Sequence, residues 1–217
     1  MFSIILCTYN RAHLIKRAID SILAQRFQDW ELIIVDDGSR DETFAVIKDI
    51  VASDPRIRYH YTDNHGQPTV RNIGFSLATM RYITFLDSDD EYLPEHLERR
   101  YEVLSGEPAI ELLHGGIEVI GNDMVADKND LSKRISLSDC VVGGTFFIRR
   151  DLWTRLGGFA DVVYSDDSDF FERAKEAGAF IKKVEFPTYR YYRTEPDSLC
   201  AISEREGVAG ILKFRGK

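Results

Sequence analysis

Three short acidic segments carry the side chains best suited to chemistry: Asp36-Asp37-Gly38-Ser39, Asp87-Ser88-Asp89-Asp90 and Asp166-Asp167-Ser168-Asp169. Carboxylates gathered in one place repel one another unless a cation enters. Oxygen donors without cysteine or clustered histidine favour Mg²⁺ or Mn²⁺. Such ions are commonly held by one or two carboxylates and completed by substrate phosphates. The pattern therefore points to a phosphate-bearing substrate delivered with Mn²⁺ or Mg²⁺. Arg11 and Arg71 are candidate phosphate partners, because a guanidinium matches phosphate geometry.

Plainer roles weigh against parts of this pattern. Asp36 to Ser39, taken alone, is ordinary turn chemistry. Asp166 and Asp169 suit a helix N-terminus. Asp87-Ser88-Asp89-Asp90 places three carboxylates in four residues with no such local gain. It lacks the Gly and Glu offsets of an EF-hand. The P-loop pattern and G-x-G-x-x-G are both absent, which removes the commonest nucleotide-binding alternatives.

The elements around these segments predict where they sit. Ser3–Cys7, Glu31–Val35, Ile57–Tyr61 and Tyr82–Leu86 read as strands. Continuous apolar runs such as Leu32–Val35 fit strands buried on both faces. Helical periodicity runs through Leu14 to Leu23, Phe44 to Val51, Val70 to Ala78 and Leu97 to Leu104. Ser39-Arg40-Asp41-Glu42 reads as a capping box for the second of these helices. Strands alternating with helices predict βαβ units and a parallel, doubly wound sheet. Ligands bind beyond the carboxyl ends of such strands, so the first two acidic segments are expected in one crevice. The second half is less regular. Ala109–Leu113, Ile117–Ile120, Thr145–Ile148 and Ile181–Phe186 read as strands, Phe170 to Ala177 as a helix, and residues 121–139 as a long loop.

Composition bounds the class. The chain has 217 residues, 44% of them hydrophobic, enough for a core and against wholesale disorder. Its net charge of −8 argues against general nucleic-acid binding. No apolar run reaches the ~20 residues of a membrane helix, and the start lacks the basic region of a signal peptide. Cys7, Cys140 and Cys200 fit neither a disulfide framework nor a C-x-x-C motif and read as reduced thiols. The expected location is the cytoplasm, with contact at the inner face of the membrane left open.

Several motifs, in shared order and spacing over roughly residues 3–195, resemble family 2 inverting glycosyltransferases. They are Ile4-Ile5-Leu6-Cys7-Thr8-Tyr9-Asn10-Arg11, Leu32-Ile33-Ile34-Val35-Asp36-Asp37-Gly38-Ser39, Val70-Arg71-Asn72-Ile73-Gly74, Ile83 to Asp90, and Gly157-Gly158-Phe159 followed by Asp166 to Asp169. The resemblance implies a GT-A fold: an open, Rossmann-like mixed sheet, mainly parallel, flanked by helices. It implies a nucleotide-sugar donor, UDP-linked by preference, and a Mn²⁺ or Mg²⁺ cofactor. It places Thr8, Tyr9, Asn10, Arg11, Asp36, Asp37, Arg71, Asp87 and Ser88 at the donor. Within that set Asp37 lies at the base, Asp36 supports it there or orients the loop, and Arg71 faces the diphosphate. Asp89 becomes the metal ligand and Asp167 the catalytic base, with Asp166 the base instead if it is the one that reaches the acceptor.

The chain departs from the family pattern at three points. Cys7 stands for the usual Pro, Asp166 for Glu, and Arg193 where many relatives have His. His114, Gly143, Gly144, Asp166 and Arg193 are the further candidates for sugar or acceptor contacts. The acceptor is expected to be a carbohydrate or lipid-linked hydroxyl, as in cell-surface polysaccharide synthesis. The chain reads as one domain over 1–217, with a nucleotide-binding half at 1–106, an acceptor and catalytic half at 107–200, and a tail at 201–217. The competing readings are a nucleotidyltransferase of similar topology and a non-catalytic nucleotide-sugar-binding module.

Overall fold

The computed structural model describes residues 1–127, 130–163, 165–196 and 198–214. In chain order the first half runs β1 (Phe2–Thr8), α1 (Ile15–Leu23), β2 (Trp30–Asp36), α2 (Thr43–Ser53), β3 (Ile57–Tyr61), α3 (Gln67–Leu77), β4 (Tyr82–Asp87), β5 (Glu91–Tyr92) and α4 (His96–Gly106). The second half runs β6 (Leu112–His114), β7 (Ile117–Gly121), β8 (Met124–Asp127), β9 (Asp130–Ser136), β10 (Phe147–Arg149), α5 (Arg150–Leu156), α6 (Asp166–Glu176), β11 (Ile181–Lys183), β12 (Tyr189–Arg193) and α7 (Leu199–Phe214).

A seven-stranded sheet in the order β11-β6-β10-β4-β1-β2-β3 forms the frame. Strands β1 to β4 pair in parallel, as alternating strand and helix signals predict. β10 runs antiparallel between β4 and β6, which makes the sheet mixed. Successive strand side chains point to opposite faces, so each apolar run feeds two cores. Ile4, Leu6, Leu32 and Ile34 face α1, α2 and α4 through Ile15, Ile19, Ile47 and Leu97. Ile5, Ile33, Val35 and Phe85 face α3, α5 and α6 through Val70, Leu152 and Phe170. Gly74 lets α3 lie close on β1: a Cβ there would stand 2.4 Å from Cγ2 of Ile5.

Several sequence expectations need correction. Residues 121–139 are not a long loop: they hold the β8–β9 hairpin and a 3₁₀ turn at Leu137–Asp139. Val125, Leu137 and Val142 bury a small core of their own there, with too few apolar residues to show a period. The capping box does not form. Ser39 Oγ instead accepts from the backbone N of Asn10, and Asp41 Oδ1 accepts from Thr43 N at the start of α2. Helix α5 follows β10 where no element is expected. Residues 199–214 are helical, broken at Gly207, where a tail is expected.

Candidate active site

Register brings the first two acidic segments together. Thr8 pairs with Asp36 and Cys7 with Asp87 at the ends of β1, β2 and β4, and adjacent strands lie ~4.8 Å apart. A cavity of about 470 Å³ opens at this carboxyl edge.

One end is built by Thr8, Asp37, Asn64 and Gly66. The backbone N of Asp37 donates to the Thr8 carbonyl at 2.8 Å. Its carboxylate accepts from the backbone N of His65 at 2.7 Å and of Gly66 at 2.9 Å. Gly66 has φ 88°, a left-handed conformation that suits glycine. Burial raises the Asp37 pKa against the pull of those two bonds. Thr8 Oγ1 and Asn64 Oδ1 are buried with no hydrogen-bond partner among the described residues. Each such atom costs ~1–3 kcal/mol, which a ligand that bonds it recovers.

Arg71 occupies the middle, 3% exposed. Its Nη1 donates to Asp166 Oδ2 at 2.9 Å and its Nη2 to Asp87 Oδ1 at 3.3 Å. Burial alone would lower its pKa, but Asp166 and Asp87 together raise it. Gln67 Nε2 also reaches Asp87 Oδ1 at 3.3 Å. Tyr9, Arg11 and Ser88 complete this wall.

Asp167 faces the cavity from the first turn of α6. Gly143 N donates to its Oδ2 at 2.9 Å and Ser168 N to its Oδ1 at 2.7 Å. Burial, and then the neighbouring Asp166, push its pKa up to about 6. Gly143 must lack a side chain here, since a Cβ would lie 2.9 Å from Cβ of Asp167. Asp169, the fourth residue of the segment, pairs instead with Arg173 at 2.9 Å.

Asp89 and Asp87, both lining the cavity, are the carboxylates that could hold a divalent cation. Burial and then the like charge of Asp87 raise the Asp89 pKa to about 6. No group of three Asp, Glu, His or Cys side chains among the described residues could hold an ion. A hard, two-carboxylate set fits Mg²⁺ or Mn²⁺ completed by phosphate oxygens.

Five expected residues do not line the cavity. Asp36, 1% exposed, accepts from Ser39 N at 2.8 Å and from Tyr59 Oη at 2.7 Å. Both bonds tie it to the loop after β2 and to β3. Asn10 ties the same loop down through Arg40 N at 2.8 Å. His114 packs edge-on against Phe171, with centroids 5.0 Å apart, and burial lowers its pKa to about 4. Gly144 abuts the hydroxyl of Tyr189. Arg193 Nη2 pairs with Glu204 of α7 at 2.8 Å. Conversely, the motifs do not announce Asn64 or Gln67. They stand at the approach to α3, and only the His65-Gly66 turn signal marks that place.

The sheet, its flanking helices and the acidic edge define a GT-A fold. Two solved structures share it. One is TarS 1–349 from S. aureus in complex with UDP-GlcNAc: TM-score 0.74, 19% identity, 99% of this chain and 65% of that one. The other is the mannosyltransferase PcManGT from Pyrobaculum calidifontis in complex with GDP-Man and Mn²⁺: TM-score 0.70, 22% identity, 92% and 58% covered. Residues 3–154 match the model of glycosyl transferase family 2, and the chain belongs to that family. A relative from Escherichia coli is UDP-Glc:α-D-GlcNAc-diphosphoundecaprenol β-1,3-glucosyltransferase WfgD, 33% identical over 150 residues, 66% of this chain and 57% of that protein. The chain spans 39%, 72% and 41% of the length of three other curated relatives.

Proposed function

We propose that the protein transfers a sugar from a UDP-linked donor to an acceptor hydroxyl, with inversion at the anomeric carbon and a divalent cation at Asp89. The observation that carries this reading is buried Arg71. It joins the strand-end carboxylate Asp87 to Asp166, next to Asp167, in one cavity. This contact supports a reading in which the diphosphate-facing end and the proton-accepting end share one cavity.

Thr8 Oγ1 and Asn64 Oδ1 offer unsatisfied atoms to the nucleoside, beside Asp37. Arg71 faces the diphosphate. A Mn²⁺ or Mg²⁺ held by Asp89, with Asp87 beside it, would neutralise charge developing on the departing nucleoside diphosphate. Asp167 takes the acceptor hydroxyl proton as that oxygen attacks the anomeric carbon. The bond from that carbon to phosphate oxygen breaks, and one displacement inverts the centre. Asp166 is occupied by Arg71, which favours Asp167 over Asp166 as the base. The backbone donors of Gly143 and Ser168 fix its orientation.

The activity of the E. coli relative favours a glucosyl donor and a lipid-diphosphate-linked acceptor. Such an acceptor would place the reaction at the inner face of a membrane, in the building of a cell-surface glycan. No helix among the described residues is long and apolar enough to cross a membrane. A thermal-shift panel of nucleotide sugars with and without Mn²⁺ tests the donor reading through ligand-linked stabilisation. UDP-sugars are expected to raise the melting temperature, and more so with Mn²⁺. A panel without any shift contradicts the proposal.

A further inference from the structure

We infer that Tyr189 is a positioning residue for the carboxylates of the Asp87–Asp90 turn, through one buried hydroxyl that joins the turn's first and last residues; the inference rests on the donor reading above. Asp90 N donates to the Asp87 carbonyl at 3.0 Å, closing a four-residue turn with Ser88 and Asp89 at its apex. Tyr189 Oη donates to Asp90 Oδ2 at 2.7 Å and accepts from Asp87 N at 3.3 Å. The other oxygen of Asp90 accepts from Tyr192 N at 2.8 Å. Two residues of β12 thus hold Asp90, and Asp90 holds the turn. Arg17 of α1 donates to the Asp89 carbonyl and stacks 3.8 Å from the ring centroid of Tyr192.

The surroundings preserve this hydroxyl. Tyr189 is fully buried, its ring edge-on to Tyr92 at 5.6 Å. A Cβ on Gly144 would stand 2.3 Å from Tyr189 Oη. Gly144 therefore serves the turn by leaving room for the hydroxyl. A divalent cation demands ligand geometry that groups behind its direct ligands enforce, and Mg²⁺-type ions tolerate little deviation. Removing this hydroxyl leaves Asp90 short of one donor and the Asp87 amide without its acceptor, while the ring stays in place.

The test compares the unaltered protein with Tyr189→Phe in Mn²⁺ titrations at saturating UDP, read by Mn²⁺ paramagnetic resonance, and in UDP titrations without metal, read by calorimetry. Mn²⁺ affinity is expected to fall ~10–100-fold in Tyr189→Phe, with metal-free UDP affinity unchanged. Gly144→Ala, which displaces the hydroxyl, should show the same selective loss. Wild-type Mn²⁺ affinity in Tyr189→Phe overturns the inference and leaves the donor reading standing. So does a parallel loss of Mn²⁺ and metal-free UDP binding. If the unaltered protein does not bind Mn²⁺ with UDP, both fall.

Discussion

Arg71 Nη1 donates to Asp166 Oδ2 at 2.9 Å, joining α3 to the first turn of α6 across 95 residues of chain. The same guanidinium reaches Asp87, so one buried cation neutralises the carboxylates of two separate acidic segments. Removing one partner of a buried ion pair leaves an uncompensated charge. Arg71→Ala is expected to lose ~3–5 kcal/mol of stability, read as a lower chemical-denaturation midpoint. It should also lose donor binding. Arg71→Lys keeps the charge but not the fork that spans both acids, so it should recover part of the stability without full donor affinity. Unchanged stability in Arg71→Ala would contradict this role.

The raised pKa of Asp167 sets a pH dependence. A base must be ionised to accept a proton. With a pKa of about 6 in the free protein, kcat/KM should fall as pH drops through that value. Stability runs the other way. The folded carboxyl binds its proton more tightly than the unfolded one, so its contribution is full below the ordinary carboxylate range. It is lost as pH rises to about 6. Asp167→Asn should therefore gain melting temperature relative to the parent as pH rises over that window. Parallel pH profiles for the two proteins would show that Asp167 is not shifted.

Thr8→Val should separate binding from folding. It removes a buried hydroxyl with no partner among the described residues and keeps the shape. The ligand-free protein is expected to gain up to ~1 kcal/mol, while donor affinity falls ~10-fold. Asn64→Ala should weaken donor binding in the same assay. Donor affinity unaffected by either change would remove these atoms from the nucleoside site.

Gly74→Ala tests the packing beneath the site. The added methyl meets Cγ2 of Ile5 at 2.4 Å, and the contact joins α3, which carries Arg71, to β1. Overpacking of this kind costs ~1–3 kcal/mol. The melting temperature should fall, and a neutral result would mean that α3 shifts freely on the sheet.

Most of the frame was legible because it rests on local signals. Runs such as Leu32-Ile33-Ile34-Val35 announce strands buried on both faces, and the acidic residues directly after them land on the carboxyl edge by topology. The β8–β9 hairpin was not legible: its core of Val125, Leu137 and Val142 comes from residues dispersed among charged ones. Nor was the division of labour among neighbouring acids. Asp36 and Asp37 are adjacent, yet strand alternation turns one towards Tyr59 and Ser39 and the other into the cavity. His114, Gly144 and Arg193 missed the cavity because their places depend on packing partners far along the chain: Phe171, Tyr189 and Glu204.

The most direct test of the account is the rate at which the protein releases UDP from UDP-glucose with Mn²⁺, compared between the unaltered chain and Asp167→Asn, with UDP binding measured on both. The account predicts Mn²⁺-dependent UDP release that falls ~10²–10⁴-fold in the variant while UDP affinity is retained. Equal rates in the two proteins, or pyrophosphate as the product, would contradict it.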